Sequence, residues 1–450
     1  MGGSICMLTF LHLSDLHITT TDAGTQFDRD TKIRDALIAD LGKEGRTAFD
    51  AILVTGDIAY HGRAEEFARA KIWLEDVRTT IGSSPEALFV VPGNHDVNQA
   101  VVPRDSSLWE LHQSLRKPMS PEDKLASFEK KLHDPFDFLS ALIEYRAFAS
   151  EYGCSTTPKE LAWFQVLDDG HRLEDGTSVR FHGLNSAVIS DQEDVKANLL
   201  LGEAQFHHFD AKPSYVNVVL CHHPHSWLMD GNKANDFLRT QAHVVLSGHE
   251  HDHRCYREGG SLRVFAGAVH PNRRETRWEP CYHVLCLSVT LTPRRELIAS
   301  VETRVWLDNE RCFGPHMLPN GSSRHEERIG LPPWTRPAAS PATISHSPPS
   351  NCGLSSSSHG RVMTAILTND AFAASRRKLI VHFFRLGTLS RYQAVLDAGV
   401  WDESDDALDG QARWARVFER AEKADKLAAL WTAVAAKDET LAGQTNPFTT

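Results

Sequence analysis

The amino-acid sequence predicts an α/β fold that carries a helical insertion and is followed by a separate small all-α domain. Short apolar runs alternate with helical patterns over residues 1–100, which is typical of βαβ units. A segment rich in proline and serine then precedes residues 361–450, where apolar side chains recur at helical spacing. Because the chain has 450 residues, we expect roughly two or three folding units rather than one.

Five short apolar runs predict buried strands, and a polar cluster follows each of them. The runs are 8–11, 51–54, 88–91, 216–220 and 244–246. The clusters are Asp15-Leu16-His17, Gly56-Asp57, Gly93-Asn94-His95-Asp96, His222-His223 and Gly248-His249-Glu250-His251. In α/β sheets, ligand sites lie outside the carboxyl ends of the strands. We therefore expect these clusters to meet on one rim.

Residues 103–165 interrupt the alternation. Their helical patterns are separated by Pro118, Pro121 and Pro135, and the segment starts directly after Gly93-Asn94-His95-Asp96. We interpret it as a helical cap over the rim that shapes substrate choice. The alternative is that it covers a sheet edge elsewhere.

Apolar runs typical of strands return at residues 178–310. The runs 262–266, 282–289 and 297–305 are expected to close a second sheet. This places the first domain at residues 1–313, a linker rich in proline and serine at 314–360, and a small helical bundle at 361–450, which is a candidate interaction module.

Composition narrows the function classes. The net charge of −11 makes a nucleic-acid partner less expected than a small substrate, because nucleic-acid binders usually carry a basic footprint. No cysteines form a Cys-x-x-Cys pair, and no apolar stretch approaches the roughly 18 residues of a membrane span. The amino terminus also lacks a signal pattern, so we expect a cytoplasmic protein without a membrane partner.

The side chains of the rim suit divalent metal ions. Aspartate, asparagine and histidine favour borderline to hard cations and require no thiolate. Asp15 and His17 are two residues apart, as are His249 and His251, so each pair would point to one face if its backbone is extended. Asp57 follows Gly56, which permits close backbone approach, and is the candidate bridging ligand.

The ordered series Asp-x-His, Gly-Asp, Gly-Asn-His-Asp, His-His-Pro and Gly-His-x-His resembles the calcineurin-like metallophosphoesterase superfamily over residues 8–310. Within it, the series is most similar to class III cyclic-nucleotide phosphodiesterases. The resemblance implies a four-layer α/β/β/α sandwich. It also implies two divalent ions, for which Mn, Fe and Zn all suit the nitrogen and oxygen ligands.

The resemblance implies a role for each rim residue. One ion would be held by Asp15, His17, Asp57 and His251, and the other by Asp57, Asn94, His222 and His249. A hydroxide that bridges the ions would attack phosphorus. His95 would stabilise the transition state or protonate the leaving oxygen, and Asp96 would orient His95. The candidate substrate contacts are Asn94, His95, His61, Arg63 and His223.

The predicted function is a phosphodiesterase for a nucleotide or another small phosphodiester. One alternative is a metal-dependent nuclease, which would need a basic groove near the rim. Another is a signalling or defence adaptor whose bundle recruits a protein partner. The bundle resembles bacterial effector-associated domains in its Phe384-Arg385-Leu386-Gly387 stretch, its tryptophan-containing helix and its final Asn446-Pro447-Phe448. The simpler interpretation of its aromatic residues is a helical core.

Overall fold

The computed structural model describes most of the chain. The described residues are 7–21, 28–43, 48–117, 120, 123, 126–128, 130, 139–157, 160–167, 171–206, 209, 212–271, 278–334, 358–408 and 410–449. The strands are β1 (Leu8–Leu13), β2 (Ala51–Thr55), β3 (Leu88–Val91), β4 (Trp163–Val166), β5 (Ser178–Leu184), β6 (Tyr215–Cys221), β7 (Val244–Ser247), β8 (Arg254–Glu258), β9 (Ser261–Phe265), β10 (Cys281–Thr290), β11 (Glu296–Leu307), β12 (Cys312–Pro315) and β13 (Arg324–Gly330). The helices are α1 (Arg29–Leu41), α2 (Ala64–Ile81), α3 (Ser107–Arg116), α4 (Ile143–Ser150), α5 (Gly231–Gln241), α6 (Ser358–Arg385), α7 (Thr388–Asp397), α8 (Gly410–Lys423) and α9 (Leu427–Ala435).

Two mixed sheets form the centre of the first domain. The first sheet has the order β12-β11-β10-β1-β2-β3, with β13 also paired to β11. The second has the order β4-β5-β6-β7-β9-β8. The strands that lead into the polar clusters are parallel within each sheet: β1, β2 and β3 in the first, and β6 and β7 in the second. Their carboxyl ends therefore share one rim.

The expectation that three late strands close the second sheet is wrong for two of them. Only β9 joins that sheet, whereas β10 pairs antiparallel with β1 and β11 pairs with β10 in the first sheet. An apolar run predicts that a strand is buried but carries no information about which neighbour it pairs with.

The two sheets pack face to face. Phe10 of β1 and Phe89 of β3 contact Phe181 of β5, with ring centroids 5.4 and 4.6 Å apart. Helix α1 packs against β12 and α2, and α5 packs against β9. The four-layer α/β/β/α sandwich that the resemblance implies is thus observed.

Helix α2 shows how local sequence places the rim. It begins after Arg63, whose backbone N–H donates to the Glu66 carboxylate at 3.2 Å, and ends at Gly82 in a left-handed conformation (φ 67°). Its buried face carries Phe67, Ala70, Trp73, Leu74 and Val77. The helix is thereby fixed against the sheet directly after Gly56-Asp57.

The insertion contributes α3 and α4. Helix α4 packs against α2, where the rings of Phe148 and Phe67 lie 5.3 Å apart. Arg116, at the end of α3, donates to the carboxylates of Asp191 (2.6 Å) and Asp194 (2.8 Å) in the loop that follows β5. Most residues between 118 and 138 lie outside the described part of the chain, and the cap over the rim stays a prediction.

The first domain extends beyond residue 313. Strands β12 and β13 continue the first sheet through Gly330, inside the segment predicted as linker. The pattern was missed because β13 carries charged and polar side chains at nearly every position and a single buried one, Ile329. The part of the predicted linker at 335–357 lies outside the described residues.

The C-terminal bundle has its own hydrophobic core, and its independence as a separate domain stays a prediction. That core includes Phe383, Trp414, Phe418, Leu430 and Trp431. Trp414 lies in α8 and Trp431 in α9, with Asp425 between the two helices at φ 54°. None of the helices in the described part of the chain combines the length and the apolar character that a bilayer span requires.

The bundle is docked on the first domain through α6. The guanidinium of Arg377 lies 4.3 Å from the centroid of the Phe89 ring and donates to the carbonyl oxygens of Glu86 and Leu88, the latter at 2.7 Å. His382 bridges Glu86 (2.8 Å) and Asp438 of the bundle (2.7 Å). The bundle therefore rests on the amino end of β3.

Candidate metal centre

The predicted ligands meet at the carboxyl ends of β1, β2, β3, β6 and β7. Four overlapping groups each bring their ligand atoms within 4.8 Å of one another. These groups are Asp15-His17-His251, His17-Asp57-His95, Asp15-Asp57-His222 and His222-His223-His249. The single rim expected from the motif order is therefore formed, and Asp57 belongs to two of its groups.

Asp57 lies between the histidines assigned to the two ions. Its Oδ2 is 3.4 Å from His17 Nε2 and 3.3 Å from His222 Nε2. Its Oδ1 accepts the backbone N–H of His95 at 2.8 Å. A carboxylate in this position is suited to bridging two cations.

Asn94 occupies the opposite side of the group. Its Oδ1 lies 2.9 Å from His249 Nδ1, 3.1 Å from His223 Nε2 and 3.2 Å from His222 Nε2. Across the site, His251 Nε2 lies 3.1 Å from Asp15 Oδ1. The two predicted ligand sets are thus each assembled, and they share Asp57.

Backbone carbonyls orient two of the imidazoles. His17 Nδ1 donates to the carbonyl of His270 at 2.9 Å, and His222 Nδ1 donates to the carbonyl of Thr55 at 2.7 Å. In both rings the lone pair of Nε2 is left facing the carboxylate of Asp57. Such hydrogen bonds are the usual way in which a metal-binding histidine is held. The sequence contained no signal for the role of His270, because it acts through its backbone carbonyl, which every residue type has.

The ligand backbone is left-handed rather than extended. Asp15, His17, Asp57, His249 and His251 have φ between 44° and 70°. The assumption that Asp15 and His17 share a face because they continue a strand is therefore wrong, since β1 already ends at Leu13. Positive φ in non-glycine residues is uncommon and clusters at functional sites.

The close approach expected at Gly56 is observed, and Gly93 shows the same property. Gly56 has φ 86°, and a Cβ there would lie 2.6 Å from His222 Nδ1. A Cβ on Gly93 would lie 2.2 Å from Asp57 Oδ1. Both positions therefore exclude a side chain, because it would displace a candidate ligand.

The charge at this site depends on protonation of the ligand histidines. Burial opposes ionisation of Asp15 and Asp57, yet the neighbouring histidines hold the pKa of Asp15 at about 2 and that of Asp57 well below its usual range. Burial likewise opposes protonation of His222, but Asp57 raises its pKa to about 9. Burial and the neighbouring His222 lower the pKa of His249 to about 4. Two buried carboxylates therefore attract positive charge from the ligand histidines.

The residues fit divalent metal ions. His17 Nε2 is buried and makes no hydrogen bond with any residue that the structure describes. With Nδ1 protonated, the Nε2 lone pairs of His17 and His222 face carboxylate and amide oxygens, which repel them unless a cation or a proton lies between. Carboxylate, carboxamide and imidazole donors are also the set that Mn, Fe and Zn accept.

Asp96 does not orient His95. Its Oδ1 accepts the backbone N–H of Ala59 at 2.8 Å and its Oδ2 accepts that of Gly93 at 2.9 Å. His95 Nδ1 instead donates to the carbonyl of Tyr60 at 2.9 Å. Adjacency in sequence suggested the wrong partner, because the turn directs the two side chains apart. Asp96 ties together the loops that carry Asp57 and Asn94.

The remaining predicted substrate contacts differ in their surroundings. His61 Nδ1 pairs with Glu66 at 2.9 Å, and the side chain of His61 is 44% exposed. Arg63 is exposed at the start of α2. His223 is buried, with Nδ1 2.8 Å from Ser186 Oγ, and burial together with His222 lowers its pKa well below the ordinary value. Contact of these residues with a substrate stays a prediction.

Trp227 was not singled out from the sequence. It lies in the turn after His222-His223-Pro224, and its ring centroid is 4.0 Å from that of His249. Its indole N–H donates to Glu250 at 3.2 Å. Trp227 therefore forms one side of the site, next to His249. Its position three residues after Pro224 could have indicated this from the sequence.

Comparison with known proteins agrees with this geometry. Residues 8–253 match the sequence family described as calcineurin-like phosphoesterase. The metallophosphoesterase-like protein YydB of Bacillus subtilis is 24% identical over 253 residues, which cover 54% of this chain and 48% of that protein. The chain thus spans about half the length of this curated relative.

The similarity of this chain to solved structures is low. A protein of Streptococcus pneumoniae described as a phosphoesterase has a TM-score of 0.28 at 12% identity, over 72% of this chain and 99% of that chain. Vps29 of Entamoeba histolytica, complexed with zinc, has a TM-score of 0.29 at 12% identity, over 72% of this chain and 98% of that chain. Scores this low carry no argument about function or fold.

Proposed function

We propose that this chain, which belongs to the calcineurin-like phosphoesterase family, is a dinuclear-metal phosphodiesterase for a nucleotide or another small phosphodiester. The observation that carries the proposal is the shared position of Asp57. Its carboxylate faces His17 on one side and His222 on the other, so that one buried group serves two ligand sets.

The ligand sets would hold one ion at Asp15, His17, Asp57 and His251, and a second at Asp57, Asn94, His222 and His249. When bound, such ions supply Lewis acidity and lower the pKa of water. The protein contributes a rigid frame, because the carbonyls of His270 and Thr55 fix two imidazoles and the amides of Gly93 and Ala59 fix Asp96.

His95 is placed to act on the leaving group. Its Nδ1 is occupied by the carbonyl of Tyr60, which leaves Nε2 to carry the proton that the imidazolium releases. Transfer of that proton to the leaving oxygen would accompany cleavage of the P–O bond. Imidazole is the side chain that most often serves as a general acid in such a transfer.

The choice of a small substrate over nucleic acid is supported by charge. The chain carries a net charge of −11, and Arg116, the cation that ends α3, is committed to Asp191 and Asp194. A nuclease would bind a charged backbone with a marked salt dependence. Recruitment of a protein partner by residues 361–450 would have to use surfaces other than the Arg377 and His382 side of α6, which is docked on the first domain.

The test uses protein stripped with a chelator and then given Mn²⁺. Hydrolysis of bis-p-nitrophenyl phosphate should return with metal, and titration calorimetry should find two ions per chain. The rate on p-nitrophenyl phosphate, a monoester with the same chromophore, should be lower.

The His95→Asn variant then isolates proton transfer. We expect it to lower kcat by about 10²-fold or more for a diester with an alkyl leaving group, and less for p-nitrophenolate, which leaves without protonation. Equal losses on both substrates would exclude proton donation. A single bound ion, or faster monoester hydrolysis, would contradict the dinuclear diesterase.

A further inference from the structure

Tyr60 is an aromatic side chain at the rim that the proposed chemistry does not use. Its side chain is 38% exposed, and its ring centroid lies 5.1 Å from that of His95 and 5.8 Å from that of His17. It thus lies beside both the candidate proton donor and a candidate ligand.

The position of Tyr60 is set by both neighbouring loops. Its backbone N–H donates to the carbonyl of Ile18 at 3.1 Å, and its carbonyl accepts from His95 Nδ1 at 2.9 Å. The ring of His61 stands edge-on at 4.6 Å and is itself held by the buried carboxylate of Glu66. The Tyr60 ring is therefore held in position by the protein itself.

The hydroxyl of Tyr60 has no hydrogen-bond partner among the residues that the structure describes. Trp227, the aromatic residue on the other side of the site, differs in this respect. Its N–H donates to Glu250, and the ammonium of Lys196 lies 5.9 Å from its ring centroid. Of these two rings, Tyr60 is the one with an unused polar group and an exposed surface beside His95.

We propose that Tyr60 determines specificity on the leaving-group side by stacking against the planar base of a nucleoside. The inference rests on the proposed function, because it takes His95 as the group that meets the leaving oxygen. A leaving group protonated by His95 Nε2 must lie next to the ring of Tyr60, since the two rings are neighbours. Stacking of a base on an aromatic side chain contributes about 1–3 kcal/mol, which corresponds to roughly 5- to 150-fold in affinity.

Calorimetry on the full-length, Mn²⁺-loaded protein tests the inference without turnover. The probes are adenosine 5′-monophosphate and glycerol 2-phosphate, which share the phosphate but not the base. The wild type should prefer the nucleotide, and Tyr60→Ala should lose about 10-fold of nucleotide affinity with little change for glycerol phosphate. Tyr60→Phe should retain most of the preference, because the ring is kept.

Tyr256 provides a matched control. It is also 38% exposed, but its ring stacks on Phe265 at the far edge of the second sheet. Tyr256→Ala should leave the nucleotide preference unchanged. Because His95 is held by the carbonyl of Tyr60 rather than by its side chain, Tyr60→Ala should keep that hydrogen bond.

Kinetics separate this inference from the proposed function. The ratio of kcat/KM for 2′,3′-cyclic AMP over glycerol 1,2-cyclic phosphate should fall about 10-fold in Tyr60→Ala. If the wild type hydrolyses neither substrate nor any other diester, the proposed function fails while calorimetry still decides on Tyr60. If the wild type shows no nucleotide preference, or Tyr60→Ala retains it, the inference about Tyr60 is overturned.

Discussion

The two ends of the parallel strands β1, β2 and β3 bury charged groups in different ways. At the carboxyl ends, Asp15 after β1 and Asp57 after β2 are no more than 1% exposed and face histidine nitrogens. At the amino end of β3, His382 is shared between Glu86 and Asp438, and Arg377 donates to two carbonyls and lies over the Phe89 ring. At the rim the positive charge depends on histidines that can lose a proton, whereas the docked end carries the guanidinium of Arg377.

The backbone shows the same contrast. In the described part of the chain, eight non-glycine residues have positive φ, and five of them are predicted metal ligands at the rim: Asp15, His17, Asp57, His249 and His251. None of the docking residues Glu86, Arg377, His382 and Asp438 is among the eight. Buried carboxylates that depend on histidines for positive charge, together with backbone strain, therefore distinguish the rim from an interface that stabilises the fold.

The largest effect expected from this contrast is loss of function at the rim without loss of stability. Asp57→Asn removes the shared carboxylate but keeps a side-chain oxygen for the His95 N–H. We expect activity on bis-p-nitrophenyl phosphate to fall by on the order of 10³-fold. At pH 10, where His222 is neutral, the thermal midpoint of the metal-free protein should stay level or rise, because a buried carboxylate without a neighbouring cation is removed. A lower midpoint in the metal-free variant would break the comparison.

The opposite result is expected at the amino end. Arg377→Ala removes two charge-assisted hydrogen bonds and the contact with Phe89, and we expect a loss of about 2–4 kcal/mol in the free energy of unfolding by urea. Arg377→Met, which keeps an apolar stem over Phe89, should lose less. Metal stoichiometry should be unchanged in both variants. A loss of metal binding in Arg377→Met would show that the docked end and the rim are coupled.

Acid should weaken the docked end in a defined range. Burial opposes ionisation of Glu86, but the hydrogen bond with His382 lowers its pKa from an ordinary 4.5 to about 2. A carboxyl group whose pKa is lower in the folded state stabilises above its unfolded pKa, and that stability is lost as pH falls through the folded value. Between about pH 4.5 and 2 we therefore expect the wild type to lose up to about 3 kcal/mol from this group.

Glu86→Gln is the matched control for that titration, because it keeps the shape without the ionisable proton. Urea midpoints of both proteins, measured from pH 6 to 2.5, should converge as pH falls. If the wild type and Glu86→Gln lost stability in parallel, Glu86 would not be the titrating group. Asp438 and Lys378 also face this cluster, so the difference between the two proteins is the informative quantity.

Most of the rim could be predicted because its candidate metal ligands are particular residue types that the sequence shows directly. Asp15, His17, Asp57, Asn94 and His222 were identified from motifs that follow apolar runs, and the family match confirms the family to which those motifs belong. The similarity to class III cyclic-nucleotide phosphodiesterases, in contrast, stays a prediction.

Three predictions failed for physical reasons. Asp96 was assigned to His95 because the two are adjacent, although a turn sends adjacent side chains in different directions. The strand β13 was assigned to the linker because its charged residues show no apolar period. Strands β10 and β11 were assigned to the wrong sheet, because periodicity predicts burial but not pairing.

By itself, the sequence determined which atoms are available: the carboxylates, amide and imidazoles of the rim, and the two separate apolar cores. Only the tertiary structure decided how they are held. The left-handed backbone at Asp15 and Asp57, the carbonyl of His270 behind His17, and the bridge from Glu86 to His382 across 296 residues depend on packing between distant segments. Local sequence encodes propensity and periodicity, whereas these contacts are selected by the burial and hydrogen bonding of the whole fold.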